Sequence, residues 1–378
     1  MPAKASAPAP AVAREFEIVA RRKDGKRWLS QASTYSVATA FVKGEVEVHG
    51  DLLEAVRFQA ARAGNHWKRQ AFDAICRWNA WQLTQRWASR TATARNIRFH
   101  YDRSNDFYRL FLDSQMVYSC AYFNTPEASL DQAQSAKLDH ICRKLRIQPG
   151  DRFLDIGCGW GALAINAAAK FGAQASGCTL SQRQYEYAVH RIRRERLSGR
   201  VSIHETDYRD LPGEFDKISS VGMFEHVGRA QLEVYFRKVY HLLAPGGLFL
   251  NHGITRPAPI QSDAQTLFIA RQVFPGGEIA PLHDVIQAAE RAGFEVFDVE
   301  SLRPHYALTC RAWVERLTLN REACLKTVGE QTWRTWRLYL AGSAVAFEDG
   351  GLGLHQILLC KRGARGAVPM TREYMYSG

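Results

Sequence analysis

Asp155-Ile156-Gly157-Cys158-Gly159-Trp160-Gly161 closes a short apolar run, residues 153–156, and opens a helical stretch, residues 162–171. Glycines at alternate positions permit dihedrals that other residues avoid and let a ligand approach the backbone closely. The dinucleotide fingerprint spaces its glycines GxGxxG and seats a pyrophosphate on the helix N-terminus. Here the spacing is GxGxG, with Asp155 two residues ahead of the first glycine. A carboxylate at that place repels a pyrophosphate and favours a ligand that carries an ammonium.

Outward from the loop, strand and helix alternate. Residues 173–178 form a second strand and 181–197 a second helix. Further strands fall near 201–204, 218–221, 248–250 and 296–299, with inserted helices around 262–271 and 309–346. Alternation with short connections predicts an α/β fold, a parallel sheet covered by helices. Upstream, residues 15–60 show short alternating runs with a hairpin signal at Asp24-Gly25. A half-exposed strand spans 44–50, and Asp51 is placed to cap a helix through Leu52, Leu53, Val56 and Phe58. This reads as a small α+β unit with a modest core of its own. Trp67, Ala71, Ile75, Trp78 and Trp81 then share one helix face among arginines. Such a stripe serves as ordinary core or rests in a membrane interface. A polar stretch, 89–98, links it to the rest.

Of 378 residues, 46% are hydrophobic and 23% charged, as in a packed globular chain. That composition excludes disorder and collagen-like repeats. No run approaches the ~18 apolar residues of a membrane span. Residues 1–14 are Ala/Pro-rich without the apolar core of a secretory signal, so a flexible tail on a cytoplasmic protein is expected. The eight cysteines form no CxxC pair and read as reduced thiols, with no metal site expected. The net charge is +12, and residues 1–99, with 17 basic and 8 acidic side chains, hold +9 of it. A basic face attracts nucleic acid or anionic lipid, and charge alone does not choose between them.

Four further segments carry a resemblance. They are His100-Tyr101-Asp102-Arg103-Ser104-Asn105-Asp106-Phe107-Tyr108, Tyr118-Ser119-Cys120-Ala121-Tyr122-Phe123, Val221-Gly222-Met223-Phe224-Glu225-His226-Val227-Gly228, and His305-Tyr306-Ala307-Leu308-Thr309-Cys310-Arg311-Ala312-Trp313. With the glycine loop, which is similar to the first motif of class I methyltransferases, they resemble the cyclopropane-fatty-acyl-phospholipid synthases and the mycolic acid cyclopropane synthases. The resemblance covers roughly residues 95–362. It implies a class I methyltransferase Rossmann-like sheet with S-adenosylmethionine as co-substrate. The expected division is a tail (1–14), a basic α+β lipid-docking domain (15–92) and a catalytic domain with helical insertions (93–378).

The resemblance implies addition of a methylene group across a cis double bond of an unsaturated acyl chain in membrane phospholipid. An alkene is a poor nucleophile, so the methyl must come activated on sulfur. Attack leaves a carbocation, which must lose a proton from the new methyl before the ring closes. The site needs a nearby base, little water and tolerance of positive charge. In the family the base is bound bicarbonate. Carried over, its holders are Cys120, Glu225, His252, Tyr306 and the backbone of Ile254. Glu225 either orients His252 or accepts the bicarbonate hydroxyl. The implied cofactor contacts are Tyr118 and Ser119 at the methionine end, and Asp155, Gly157, Cys158, Gly159 and Gly161 along the loop. Thr179, Leu180, Ser181 and Gln184 stand at the ribose, and Tyr208 near adenine. The end of the second strand lacks the usual ribose-binding acid, so hydroxyl and amide groups must replace it. The implied partners are an anionic membrane surface, with peripheral association at the cytoplasmic face of the inner membrane, and a second copy of the chain. No nucleic-acid motif is present. The same cation could instead yield a methyl-branched, methylene or hydroxylated lipid.

Overall fold

A computed structural model describes residues 16–21, 34–62, 104–258, 268–269, 272–273, 278–364 and 366–376. The expected tail, the Asp24-Gly25 turn, the Trp-bearing helix of residues 65–90, the linker and most of the 262–271 insertion lie outside the described residues, as do His100 to Arg103.

The sheet has seven strands: β3 (Arg152–Ile156), β4 (Gln174–Thr179), β5 (Val201–Glu205), β6 (Phe215–Val221), β7 (Leu243–Thr255), β8 (Phe294–Ser301) and β9 (Gly353–Lys361), in the order β5-β4-β3-β6-β7-β9-β8. The five strands from β5 to β7 run parallel, as the alternation predicts. β9 departs from that expectation: it runs antiparallel to both β7 and β8. It inserts between two earlier strands and is buried along most of its length, so it lacks the alternation that marks a half-exposed strand. β7 is also longer than the 248–250 run. It begins at Leu243, before Pro245-Gly246-Gly247, where its register against β6 shifts.

Chain order reverses at β3, which lies between β4 and β6. Open α/β sheets bind ligands at such a point, beyond the carboxyl ends of the strands. The helices α5 (Ala162–Phe171) and α6 (Gln182–Arg194) follow β3 and β4 and agree with the periodicity. Ser181 caps α6 by accepting the Gln184 amide at 3.4 Å. Ahead of the sheet run α3 (Asn105–Arg109) and α4 (Leu130–Lys144). The second starts with a capping box, in which Ser129 and Gln132 satisfy each other's backbone amides. Between β6 and β7 lies α7 (Leu232–Leu242), and before β8 lies α8 (Leu282–Arg291). The insertion at 309–346 is helical: α9 (Arg303–Leu319) and α10 (Arg321–Glu348), the latter broken in two at Gly329, where φ is +77° and ψ 165°. A short α11 (Glu373–Tyr376) buries Met375.

The N-terminal unit pairs β1 (Phe16–Ala20) antiparallel with β2 (Val46–Gly50), with α1 (Thr34–Val42) between them in sequence and α2 (Leu52–Arg62) after them. Asp51 caps α2 through Leu53 N at 2.7 Å, as its side chain predicts. The core, however, is shared rather than separate. Phe41, Leu52 and Leu53 belong to the same buried cluster as Phe107, Trp313 and Trp336. Arg334 of α10 is almost wholly buried, pairs with Glu47 at 2.6 Å and donates to the Phe41 carbonyl at 3.3 Å. A buried guanidinium requires such partners; these two belong to the N-terminal unit, and a third, Glu330 at 2.9 Å, lies one turn earlier on α10.

Candidate functional site

Beyond the carboxyl ends of β3, β4 and β6 opens a cavity of about 310 Å³. Ten of the twelve residues expected at the cofactor line it; Gly161 and Ser181 do not. Gly161 turns the chain into α5, and Ser181 is spent on the cap of α6. Gly157 adopts φ +76°, and a Cβ there would stand 3.0 Å from Met223 Cγ, so loop and wall already touch.

Asp155 is buried in β3 and accepts Ser219 Oγ at 2.7 Å. Burial pushes its carboxyl up to about 6, against the pull of that hydrogen bond and of Lys137. At the end of β4, where the acid is missing, Thr179 Oγ1 donates to Gln184 Oε1 at 2.7 Å. A hydroxyl–amide pair thus occupies the place of the ribose carboxylate. Tyr208 sits on a short 3-10 turn with its ring edge-on to Tyr235, centroids 5.7 Å apart.

These features fit S-adenosylmethionine: close backbone approach at the glycine loop, an acid for an ammonium, and polar groups for hydroxyls. Residues that the sequence reading missed complete the wall, among them Met223, Asp207 and Lys137. Lys137 carries a legible signal. It stands in the apolar stripe of α4 with Leu130, Ala133, Leu138 and Ile141, where a lysine is out of place unless it has work to do.

The five expected anion-site positions lie beside this cavity. Cys120 follows Ser119, Glu225 precedes His226, and His252 pairs with Val221 across β6 and β7; Ser119, His226 and Val221 all line the cavity. Past the end of β6, Glu225 takes over the ladder: its Oε1 accepts Ile254 N–H at 2.7 Å. That approach requires Gly253. A Cβ there would lie 2.0 Å from Phe224 Cε1 and 3.1 Å from Glu225 Oε1. Burial lifts the Glu225 carboxyl to about 7, with the Ile254 amide opposing. The His252 Nδ1 contacts Gln356 Nε2 at 3.1 Å, so Gln356 orients this ring; the hydrogen bond of Glu225 goes to Ile254 instead. With Gln356 donating, the ring proton sits on Nε2. Burial, then the charges of Lys137 and Lys144, push His252 far below its ordinary value and keep it neutral. Glu225 Oε2 and His252 Nε2 are buried without partners among the described residues.

Tyr306 and Cys120 complete the group. The Tyr306 ring stacks on Phe347 at 4.6 Å. Burial raises its phenol well above the usual range, and Cys120 and Glu225 are close enough to raise it further. Burial likewise raises the Cys120 thiol, whose Sγ donates to Ala121 O at 3.2 Å. Both side chains stay protonated. His252, Tyr306 and the two unpartnered atoms suit a small oxyanion such as bicarbonate, with two departures from the resemblance: the Ile254 amide is already committed to Glu225, and the Cys120 thiol to the Ala121 carbonyl.

A family model described as mycolic acid cyclopropane synthetase matches residues 88–357. The chain belongs to that family. It is accordingly a class I methyltransferase, and S-adenosylmethionine is its methyl donor. A Pseudomonas putida protein named "Probable fatty acid methyltransferase" is 45% identical over 357 residues, which span 92% of this chain and 88% of that one. The structure of the cyclopropane synthase MmaA2 from Mycobacterium tuberculosis superposes with a TM-score of 0.69 at 32% identity, covering 71% of this chain and 98% of that one. That of mycolic acid cyclopropane synthase CmaA1, complexed with SAH and CTAB, gives 0.67 at 33% identity, covering 70% and 97%. Both the fold and the family expected from the sequence therefore stand. Among the described residues, no helix is long and apolar enough to cross a membrane.

Proposed function

We propose that the chain transfers a methylene group from S-adenosylmethionine to the cis double bond of an unsaturated acyl chain in membrane phospholipid, forming a cyclopropane ring. The observation that carries this reading is the pair of unpartnered buried atoms, Glu225 Oε2 and His252 Nε2, beside the cofactor cavity. Buried polar atoms without partners are costly unless a ligand meets them. Bicarbonate, when bound, supplies a base for the proton released on ring closure. His252 offers a neutral N–H, and Tyr306 offers a phenol that burial keeps protonated. Glu225, poised near neutrality, can share a proton with the anion, while Ile254 fixes its other oxygen. Cys120 packs the floor as an uncharged thiol.

Aromatic side chains exclude water and present faces that tolerate positive charge. Tyr118 lies tilted against Trp313 with centroids 5.1 Å apart, and Tyr306 meets Trp313 edge-on at 6.1 Å. A second cavity, about 110 Å³ and lined by apolar groups of α1, α2 and α10, gives an acyl chain a seat. Tyr339 lies on its wall and is close enough to Tyr306 to influence it. The basic excess of residues 1–99 supports reversible docking on the anionic cytoplasmic face of the inner membrane. The reading extends to a homodimer.

Lipid mass spectrometry of a host expressing the chain, with and without Glu225→Gln, tests the reading. A gain of one CH2 with loss of the double bond, absent in the variant, is expected. A second reading, a methyl-branched, methylene or hydroxylated product, is favoured by the relative named a fatty acid methyltransferase. A retained alkene or an open branch in the product would decide for it. No one-carbon gain at all would reject both.

A further inference from the structure

Lys137 lies in the middle of α4, 2% exposed, and is one of the residues that line the cofactor cavity. Its Nζ donates to Ser119 Oγ at 2.9 Å. No carboxylate among the described residues pairs with it within 4.0 Å, although two stand nearby. Asp113 has turned both oxygens to its own backbone, accepting Val117 N at 2.7 Å and Gln115 N at 2.9 Å. Asp155 faces the same cavity and is held by Ser219. A buried ammonium that lacks an ion partner is expensive, and its ordinary remedy is an anion. The side from which an anion can come is the cavity.

The amino-acid end of the methyl donor bears an α-ammonium and an α-carboxylate on one carbon. The walls of the cavity carry the complementary pair, Asp155 and Lys137. We propose that Lys137 binds the α-carboxylate of S-adenosylmethionine, reaching it together with the Ser119 hydroxyl that it already holds. This rests on the cofactor reading given above and adds the residue that reads the carboxylate. Burial lowers the Lys137 ammonium to about 8 in the absence of that partner, which leaves it charged at neutral pH, and a bound carboxylate raises it again. The competing anion is bicarbonate, since the charge of Lys137 also reaches Cys120 and His252. Position favours the donor: the cavity that Lys137 lines contains Ser119, Asp155 and Gly157, whereas Cys120, Glu225 and His252 lie behind its wall.

Calorimetric titration of the full chain tests the assignment. The ligands are S-adenosylhomocysteine and its decarboxylated analogue, which keeps the adenosine, thioether and amine. Lys137→Met should weaken S-adenosylhomocysteine roughly ten- to a hundredfold, the range of a hydrogen bond between charged groups. It should leave the analogue unchanged, and the analogue should bind the wild type as weakly as S-adenosylhomocysteine binds the variant. Equal losses for both ligands would make Lys137 a prop of the pocket and overturn the proposal. Unchanged S-adenosylhomocysteine binding with a raised bicarbonate requirement for turnover would assign Lys137 to the anion site and overturn it as well. If the methionine variant does not fold, Lys137→Gln and the wild-type ligand pair carry the test; equal wild-type affinity for the two ligands refutes it. Failure of the wild type to bind S-adenosylhomocysteine would reject the cofactor reading itself.

Discussion

Glu225→Gln should remove turnover and, at the same time, make the protein more stable in alkaline solution. The carboxyl is 8% exposed, and burial raises it from 4.5 to about 7. Below pH 4.5 it is protonated in the folded and unfolded chain alike and costs nothing. Between 4.5 and 7 the unfolded chain releases its proton first, so stability falls as pH rises. Above 7 the penalty is complete. At 1.36 kcal/mol per pH unit, the gap of about 2.5 units corresponds to about 3 kcal/mol. Glutamine keeps an oxygen for the Ile254 amide and never ionises. Whatever its NH2 costs in the apolar floor is the same at every pH and cancels in the comparison. Relative to wild type, the variant should therefore gain about 3 kcal/mol between pH 4.5 and pH 8, on the order of 5 °C in Tm for a chain of this size. Calorimetric melts of the ligand-free protein at the two pH values, variant against wild type, provide the measurement. A variant that differs from wild type by the same amount at both would show that this carboxyl ionises freely in the folded state, and the proposed anion site would lose its proton-sharing member.

Gly253→Ala drives a Cβ into Phe224 and against Glu225. We expect S-adenosylhomocysteine binding within a few-fold of wild type and turnover down about a hundredfold, the scale of a misplaced reacting group; intact turnover would mean the Glu225–Ile254 contact is dispensable. Cofactor affinity should weaken as pH falls through about 6, where Asp155 takes up a proton and stops attracting the ammonium. Asp155→Asn should bind weakly with no such dependence, as titrations from pH 5 to 8 would reveal. Arg334→Met should cost about 2 kcal/mol through its lost charged hydrogen bonds. Hydrogen exchange should report the loss in α1 and β2, with β3, β6 and β7 unaffected; uniform deprotection would contradict a localised bracket.

The glycine loop was legible because its physics is local: three glycines and an acid at fixed spacing fix both the turn and the class of ligand. The boundaries of α5 and the start of α6 at Ser181 were legible too, whereas α6 ends at Arg194, three residues short of the expected Leu197. The antiparallel β9 was not, because residues 353–361 are almost continuously buried and a buried strand carries no period of two. The helix α4 had its signal in Ser129 and Gln132, a capping box ahead of an apolar stripe. The anion-site side chains could be named from the motifs, but their division of labour could not. That Glu225 answers Ile254, while Gln356 steers His252, depends on strands that meet only in the folded sheet. Gly253 is similar: nothing in Asn251-His252-Gly253-Ile254 announces that a phenylalanine 29 residues upstream will pass within 2.0 Å of its missing Cβ.

The strand order has a temporal side. β8 touches the sheet only through β9, which follows it in sequence by more than fifty residues. As the polypeptide leaves the ribosome, β8 and the helices α9 and α10 emerge while the slot beside β7 is still empty. α9 grips the donor half on its own, through Thr309 Oγ1 on the Ala121 amide at 3.0 Å and Trp313 against Tyr118, while β8 waits for residues 353–361 before it joins the sheet. A nascent chain therefore closes its seven-stranded sheet only near the end of translation, when β9 fills the slot between β7 and β8.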